Sequence, residues 1–271
     1  MDLDTALELL SETPSAPFDL AELALLVARD EYPALDVEAE LAELEAMAHE
    51  LRPRLRGPLA ARVAALARYL FHEQGFEGDE RDYYDPRNSY LNDVLIRRVG
   101  LPISLSILAV GVGTRAGLPV FGVGLPGHFV AKAVHGGDEV IFDPFHGGQI
   151  LTPRACESLV EQSAGVSFAA TPEALAAVDA GQVATRILTN LKGAYLRRQD
   201  FARAARVIAR LRQLCPGDVT QRRDLGVSLL QAGRPGRAID ELAAYLEREP
   251  MDADAVRELL EQARAEVARW N

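Results

Sequence analysis

Residues 97–117 have the sequence RRVGLPISLSILAVGVGTRAG, and this stretch predicts a central helix for the N-terminal part of the chain. Pro102 suits the first turn of a helix, where its missing N–H is not needed. The residues that follow it are mostly apolar on all sides, which is typical of a helix buried all round. We therefore predict a buried helix over Pro102–Ala116.

Three short strands are predicted after this helix, each rich in valine or aromatic residues and bounded by glycine or proline: Leu118–Leu125, Phe129–His135 and Glu139–Phe142. Gly136-Gly137 is typical of a two-residue hairpin turn. With this turn, His135 faces Asp138. Asp143 then becomes a diagonal neighbour of His128 on the same face of the sheet.

Three polar residues are candidates for catalysis: Ser104, His128 and Asp143. Ser104 falls in the first turn of the predicted helix, where the helix N-terminus stabilises negative charge on a nucleophile. A histidine oriented by a carboxylate is the base half of a nucleophilic triad. Ser106 is an alternative nucleophile. Each residue also has a structural interpretation: Ser104 as a helix cap, His128 as a residue fixing the preceding turn, and Asp143 as the start of an Asp-Pro turn.

No cofactor and no metal are predicted. A metal site formed by His128, Asp143 and His146 is conceivable, but the spacing of these residues matches no common ligand motif. Gly122–Gly127 approaches a dinucleotide-binding fingerprint, but a strand follows it where that fold has a helix.

The C-terminal third of the chain repeats itself every 34 residues, the tetratricopeptide period. The aligned pairs are Leu191 and Leu225, Ala204 and Ala238, Leu211 and Tyr245, Pro216 and Pro250, and Asp218 and Asp252. We predict two repeats followed by a capping helix over Asp254–Trp270. Such repeats expose a concave surface, so the predicted partner is a protein or peptide.

Composition argues against several other classes. The formal net charge of −11 disfavours non-specific binding to nucleic acid or anionic membranes. Cys156 and Cys215 are too few for a disulfide framework and are interpreted as ordinary thiols. The N-terminus lacks signal-peptide features, and the apolar stretch Leu101–Leu118 contains Arg115, so no membrane span is predicted and the expected location is the cytoplasm. No pattern predicts the oligomeric state.

Four strings within Tyr83–Gly147 resemble the bacterial SirB family of the transglutaminase-like superfamily: NSYLNDVL (88–95), RRVGLPISLS (97–106), PGHF (126–129) and FDPF (142–145). The resemblance covers most of residues 18–165, and a tetratricopeptide tail fits the family's usual arrangement. It implies a papain-like α+β core. In such a core a buried helix holds the nucleophile position and packs on an antiparallel sheet that carries His128 and Asp143.

The chain departs from the superfamily at one position. The resemblance implies a Cys-His-Asp triad, but no cysteine precedes Cys156. Ser104 occupies the place of the nucleophile. A serine hydroxyl must lose its proton during attack, whereas a cysteine can exist as the thiolate, so cysteine chemistry does not carry over.

The predicted fold class is therefore α+β. A transglutaminase-like domain spans residues 1–165, with a helical part over 1–80 and the core over 81–165, and an α-helical repeat domain spans 180–271. The favoured function is non-enzymatic binding of a protein or peptide. The alternatives are a Ser104-His128-Asp143 hydrolase or acyltransferase acting on a peptide or amide bond, and a structural scaffold.

Overall fold

A computed structural model describes residues 1–269 and divides into two compact units. The first unit comprises Met1–Ala6 and Pro14–Ile187, and the second comprises Leu7–Thr13 and the residues from Leu188 onward. The predicted fold class, a transglutaminase-like α+β core followed by helical repeats, is confirmed. Within residues 1–269, no helix is long and apolar enough to cross a membrane.

The helices are α1 (Leu3–Glu12), α2 (Leu20–Glu31), α3 (Val37–Leu51), α4 (Leu59–Ala67), α5 (Leu91–Arg97), α6 (Pro102–Arg115), α7 (Pro153–Ala164), α8 (Ala180–Arg197), α9 (Phe201–Leu214), α10 (Thr220–Gln231), α11 (Pro235–Leu246) and α12 (Ala253–Ala268). The strands are β1 (Glu77–Gly78), β2 (Val99–Gly100), β3 (Val120–Leu125), β4 (His128–His135), β5 (Asp138–Asp143) and β6 (Gln149–Leu151). A π-helical turn, Arg68–Glu73, extends α4.

The main sheet is antiparallel, with its strands in the order β3-β4-β5-β6. Gly136 and Gly137 join β4 to β5 with φ values of 61° and 90°, which glycine adopts without steric cost. His135 pairs with Asp138, so the predicted register is confirmed. β6 has no counterpart among the predicted strands, because three residues after a glycine pair are too short to display an alternating pattern.

Helices cover both faces of this sheet. α6 is buried over nearly its whole length, as predicted. It lies on the face that carries Val120, because a Cβ atom on Gly113 of α6 would be only 2.7 Å from the Val120 side chain. On the opposite face, Val130 belongs to a buried cluster with Cys156 of α7. His128 is two residues from Val130 in the same strand, so it shares the α7 face.

In the second unit, each helix from α9 to α12 packs against the next. The aligned apolar positions of the two repeats are all buried: Leu191, Leu225, Ala204, Ala238, Leu211 and Tyr245. Burial of equivalent positions explains the 34-residue period. α12 occupies the place of the predicted capping helix, and the predicted last residue of that helix, Trp270, lies outside the described residues.

Two helical glycines of the repeats should respond in opposite ways to alanine. A Cβ atom on Gly226 in α10 would lie 2.6 Å from Cγ of Leu242, whereas a Cβ atom on Gly193 in α8 meets nothing within 4 Å. We expect Gly226→Ala to lower the free energy of unfolding by about 1–3 kcal/mol through overpacking. Gly193→Ala should raise it by about 0.4–1 kcal/mol, because alanine loses less backbone entropy than glycine on entering a helix.

Urea denaturation followed by far-UV circular dichroism measures both effects. If the two variants shifted the transition in the same direction, the close packing of Gly226 on Leu242 would be contradicted.

Candidate functional site

His128 and Asp143 form a buried pair at the end of the β4–β5 hairpin. Ala131 pairs with Phe142, and the same register places Asp143 opposite Val130 and diagonal to His128. Nε2 of His128 lies 2.9 Å from Oδ2 of Asp143. The two side chains are 5% and 1% exposed. The diagonal neighbours expected from the hairpin count are therefore in hydrogen-bond contact.

A second histidine binds the same carboxylate. Nδ1 of His146 lies 2.7 Å from Oδ2 of Asp143. The other carboxylate oxygen, Oδ1, accepts the backbone N–H groups of Phe145 at 3.0 Å and His146 at 3.4 Å. The rings of His128 and His146 are stacked with centroids 5.7 Å apart. Because 43% of the His146 side chain is exposed, the cluster reaches solvent on this side.

The environment of Asp143 keeps the carboxyl group ionised. Burial by itself raises the pKa of Asp143, since a buried carboxylate loses its hydration. The hydrogen bond and electrostatic interaction with His128, followed by those with His146, outweigh burial and hold the pKa of Asp143 below its ordinary value. Asp143 can thus accept a hydrogen bond from one nitrogen of each imidazole, and these two bonds orient both rings.

Ser104 has a structural role at the start of α6. Its hydroxyl donates to the carbonyl oxygen of Asn88 at 2.7 Å and accepts the backbone N–H of Leu101 at 2.9 Å. The residue is 2% exposed. Among residues 1–269, no hydrogen bond joins Ser104 to His128. The structure brings together the histidine and aspartate of the predicted catalytic group and leaves the serine apart from them.

A series of close contacts connects the surroundings of Ser104 with those of His128. A Cβ atom on Gly100 would be 2.7 Å from Oγ of Ser104, and Gly100 pairs with Gly78 in the short β1–β2 ladder. A Cβ atom on Gly78 would be 2.6 Å from the ring of Phe145. That ring contacts His128 edge-on, with centroids 5.9 Å apart. Close packing therefore requires glycine at both positions.

Asn88, the first residue of the string NSYLNDVL, is the centre of a buried group of hydrogen bonds. Its side-chain amide donates to Oδ2 of Asp79 at 3.1 Å and to the carbonyl oxygen of Asp82 at 2.9 Å. Its side-chain oxygen accepts from Arg97 at 2.9 Å. Asn88 is fully buried, and its own carbonyl oxygen accepts the Ser104 hydroxyl. The string therefore ties a polar loop to α5 and to the start of α6.

Further residues surround the His-Asp cluster. The ring of Tyr83 meets that of Phe145 edge-on with centroids 6.1 Å apart. Burial raises the pKa of Tyr83, and the positive charge of Arg186 opposes this rise. Arg186 of α8 also donates to the backbone oxygen of His128 at 3.3 Å. No local sequence pattern points to Arg186, because it is far from His128 along the chain.

The geometry defines a transglutaminase-like domain followed by tetratricopeptide repeats, and family models agree. The model for the transglutaminase-like superfamily matches residues 38–189, and a tetratricopeptide repeat model matches residues 191–264. The chain belongs to the transglutaminase-like superfamily. Its relatives include bacterial proteins named UPF0162, and the resemblance to the bacterial SirB family is confirmed.

Two of these relatives align over most of their length. A UPF0162 protein of Xylella fastidiosa is 37% identical over 241 residues, covering 85% of this chain and 84% of the relative. A UPF0162 protein of Vibrio cholerae is 31% identical over 219 residues, covering 80% and 77%. F-box only protein 21 of Homo sapiens is 34% identical over 113 residues, covering 38% of this chain and 18% of that protein. No solved structure gives a significant match.

The two serines of α6 should differ in their effect on stability. Ser104→Ala removes the hydroxyl that bonds the N–H of Leu101 and the carbonyl oxygen of Asn88. These two backbone groups still bond each other at 3.2 Å, so we expect a loss of about 0.5–1.5 kcal/mol in the free energy of unfolding. Ser106→Ala removes only a 3.5 Å contact with the backbone oxygen of Phe129, so it should cost less. Thermal or urea denaturation compares them, and equal losses would contradict the capping role of Ser104.

Proposed function

We propose that this chain acts by binding a protein or peptide and that Ser104 is not a nucleophile. The observation that carries the proposal is the engagement of the Ser104 hydroxyl by three backbone groups: the N–H and the carbonyl oxygen of Leu101 and the carbonyl oxygen of Asn88. A serine nucleophile transfers its proton to a base during attack. Here the hydroxyl donates its hydrogen bond to the carbonyl oxygen of Asn88, which cannot act as a general base.

Reorienting the hydroxyl toward His128 carries a further cost. The hydroxyl would give up its hydrogen bonds to the N–H of Leu101 and the carbonyl oxygen of Asn88, and each such bond contributes about 0.5–1.5 kcal/mol. The N–H of Leu101 would keep the carbonyl oxygen of Asn88 as its remaining acceptor, at 3.2 Å. Attack by Ser104 is thus opposed by the lost hydrogen bonds.

The repeats supply the binding surface in this proposal. Tetratricopeptide repeats generally mediate protein–protein interaction. Ion pairs link helices within the repeat unit: Lys192 of α8 contacts Asp224 of α10 at 2.5 Å, and Arg223 of α10 contacts Asp252 at 2.8 Å. Such links keep the helices in register and preserve a preformed surface, which reduces the entropy lost on binding.

The proposed setting is the cytoplasm. The chain has only two cysteines, Cys156 and Cys215, too few for a disulfide framework, which suits a reducing compartment. The net charge of −11 disfavours nucleic acid and anionic membranes as partners. A protein or peptide is therefore the partner class proposed.

One observation favours a catalytic alternative. Asp143 orients His128 as the acid of a triad orients its base. A Ser104-His128-Asp143 hydrolase or acyltransferase remains the second candidate for this reason. Activity-based labelling separates the two functions.

We expect the full chain to show no labelling of Ser104 by a fluorophosphonate probe and no Ser104-dependent turnover of amide or ester substrates. A known serine hydrolase in the same reaction serves as the positive control, and Ser104→Ala, assayed at a temperature where it is folded, is the matched variant. Labelling of wild type that disappears in Ser104→Ala would overturn the proposal and establish the hydrolase alternative.

Partner binding should map to the repeats. We expect a protein captured on the full chain to slow amide hydrogen exchange chiefly within residues 188–269, because stacked repeats present the binding surface. Hydrogen-exchange mass spectrometry of the free and bound chain measures this. Protection confined to the transglutaminase-like unit would show that the repeats do not bind the partner.

A further inference from the structure

We infer that His128, Asp143 and His146 form a binding site for one divalent first-row transition-metal ion. Each residue offers one ligand atom, and these atoms all lie within 4.8 Å of one another. Two imidazole nitrogens and one carboxylate oxygen form a ligand set that suits such ions. The inference concerns metal binding and does not rest on the proposed function.

The distances suit a single ion. Ligand atoms bound at about 2.1 Å stand about 3.0 Å apart in octahedral coordination and about 3.4 Å apart in tetrahedral coordination. Oδ2 of Asp143 lies 2.9 Å from Nε2 of His128 and 2.7 Å from Nδ1 of His146. Small rotations of the rings would replace two hydrogen bonds by metal–ligand bonds. Each ligating nitrogen would first release its proton to solvent or carry it on the other ring nitrogen instead.

The carboxylate is already held in the orientation that a ligand needs. Oδ1 of Asp143 accepts the backbone N–H groups of Phe145 and His146, so the remaining oxygen points at the imidazoles. Metal ligands in proteins are oriented by such secondary hydrogen bonds.

Access to the cluster is from one side. His128 and Asp143 are buried, whereas 43% of the His146 side chain is exposed. An ion could enter past His146 and keep open coordination positions for water, because the protein supplies three ligands. The ligand set consists of two nitrogens and one oxygen, and Cys156 is not part of it.

The spacing of the three ligand residues along the chain does not indicate a metal site. Common zinc motifs place ligands one helical turn apart or around a short knuckle. Here His128 begins one strand, Asp143 ends the next, and His146 follows in a turn. Only the hairpin register and the turn after β5 bring the three together.

The test uses the full chain prepared without a histidine tag, stripped of metal with a chelator and titrated with Zn2+ by isothermal calorimetry. We expect one equivalent to bind. His146→Ala should weaken binding by at least about 100-fold, since loss of a ligand costs more than loss of a partner that orients one. His135→Ala should bind like wild type, because His135 is exposed and lies outside the cluster.

Absence of a one-equivalent site in wild type, or equal binding by wild type and His146→Ala, would overturn the inference. Circular dichroism verifies that His146→Ala is folded. His146→Gln, which keeps a polar side chain at this position, is the second variant should the alanine protein be unstable, and it too should lose the site.

Co2+ gives an independent readout. We expect visible absorption bands at one equivalent that are lost in His146→Ala and kept in His135→Ala. A sulfur-to-cobalt charge-transfer band would contradict a ligand set of two nitrogens and one oxygen. Binding of Zn2+ and labelling of Ser104 are separate measurements, so the metal site and the proposed function can each fail alone.

Discussion

The hydroxyl of Ser104 holds together the start of the central helix. It accepts the N–H of Leu101, the residue before α6, and donates to the carbonyl oxygen of Asn88 in the preceding loop. The buried amide of Asn88 in turn binds the loop residues Asp79 and Asp82. α6 underlies the main sheet, so the position of the sheet and its histidine depends on this buried set of hydrogen bonds. A residue committed to such a network is poorly suited to attack a substrate.

On the other face of the sheet, the carboxylate of Asp143 is the centre of a second group of hydrogen bonds. One carboxylate orients two imidazoles through Oδ2, while its other oxygen is fixed by the turn that follows β5. The superfamily resemblance implies an aspartate that serves one histidine and a nucleophile. In this chain the aspartate serves two histidines, and the hydroxyl at the nucleophile position is directed elsewhere. Two imidazole nitrogens and one carboxylate oxygen thus meet at one point, and such a ligand set suits cation binding.

The repeats depend on packing between helices that are neighbours along the chain. Each helical pair of the second unit buries the same positions as the other, and that shared burial produces the 34-residue period. Local packing of this kind needs no long-range pairing, so the pattern is visible in the sequence. The transglutaminase-like unit depends on contacts between distant segments, such as Arg186 with the backbone of His128.

The amino-acid sequence by itself determined the α+β class, the buried helix, the repeats and the hairpin that pairs His128 with Asp143. These features rest on periodicity and on a two-glycine turn, which are local properties. The sequence was silent on the direction of the Ser104 hydroxyl, on β6 and on Arg186. Only the tertiary structure decided that the backbone oxygen of Asn88 accepts the hydrogen bond of the Ser104 hydroxyl and that His146 turns back onto Asp143. Both outcomes depend on side chains meeting across separate elements, and no spacing along the chain specifies such meetings.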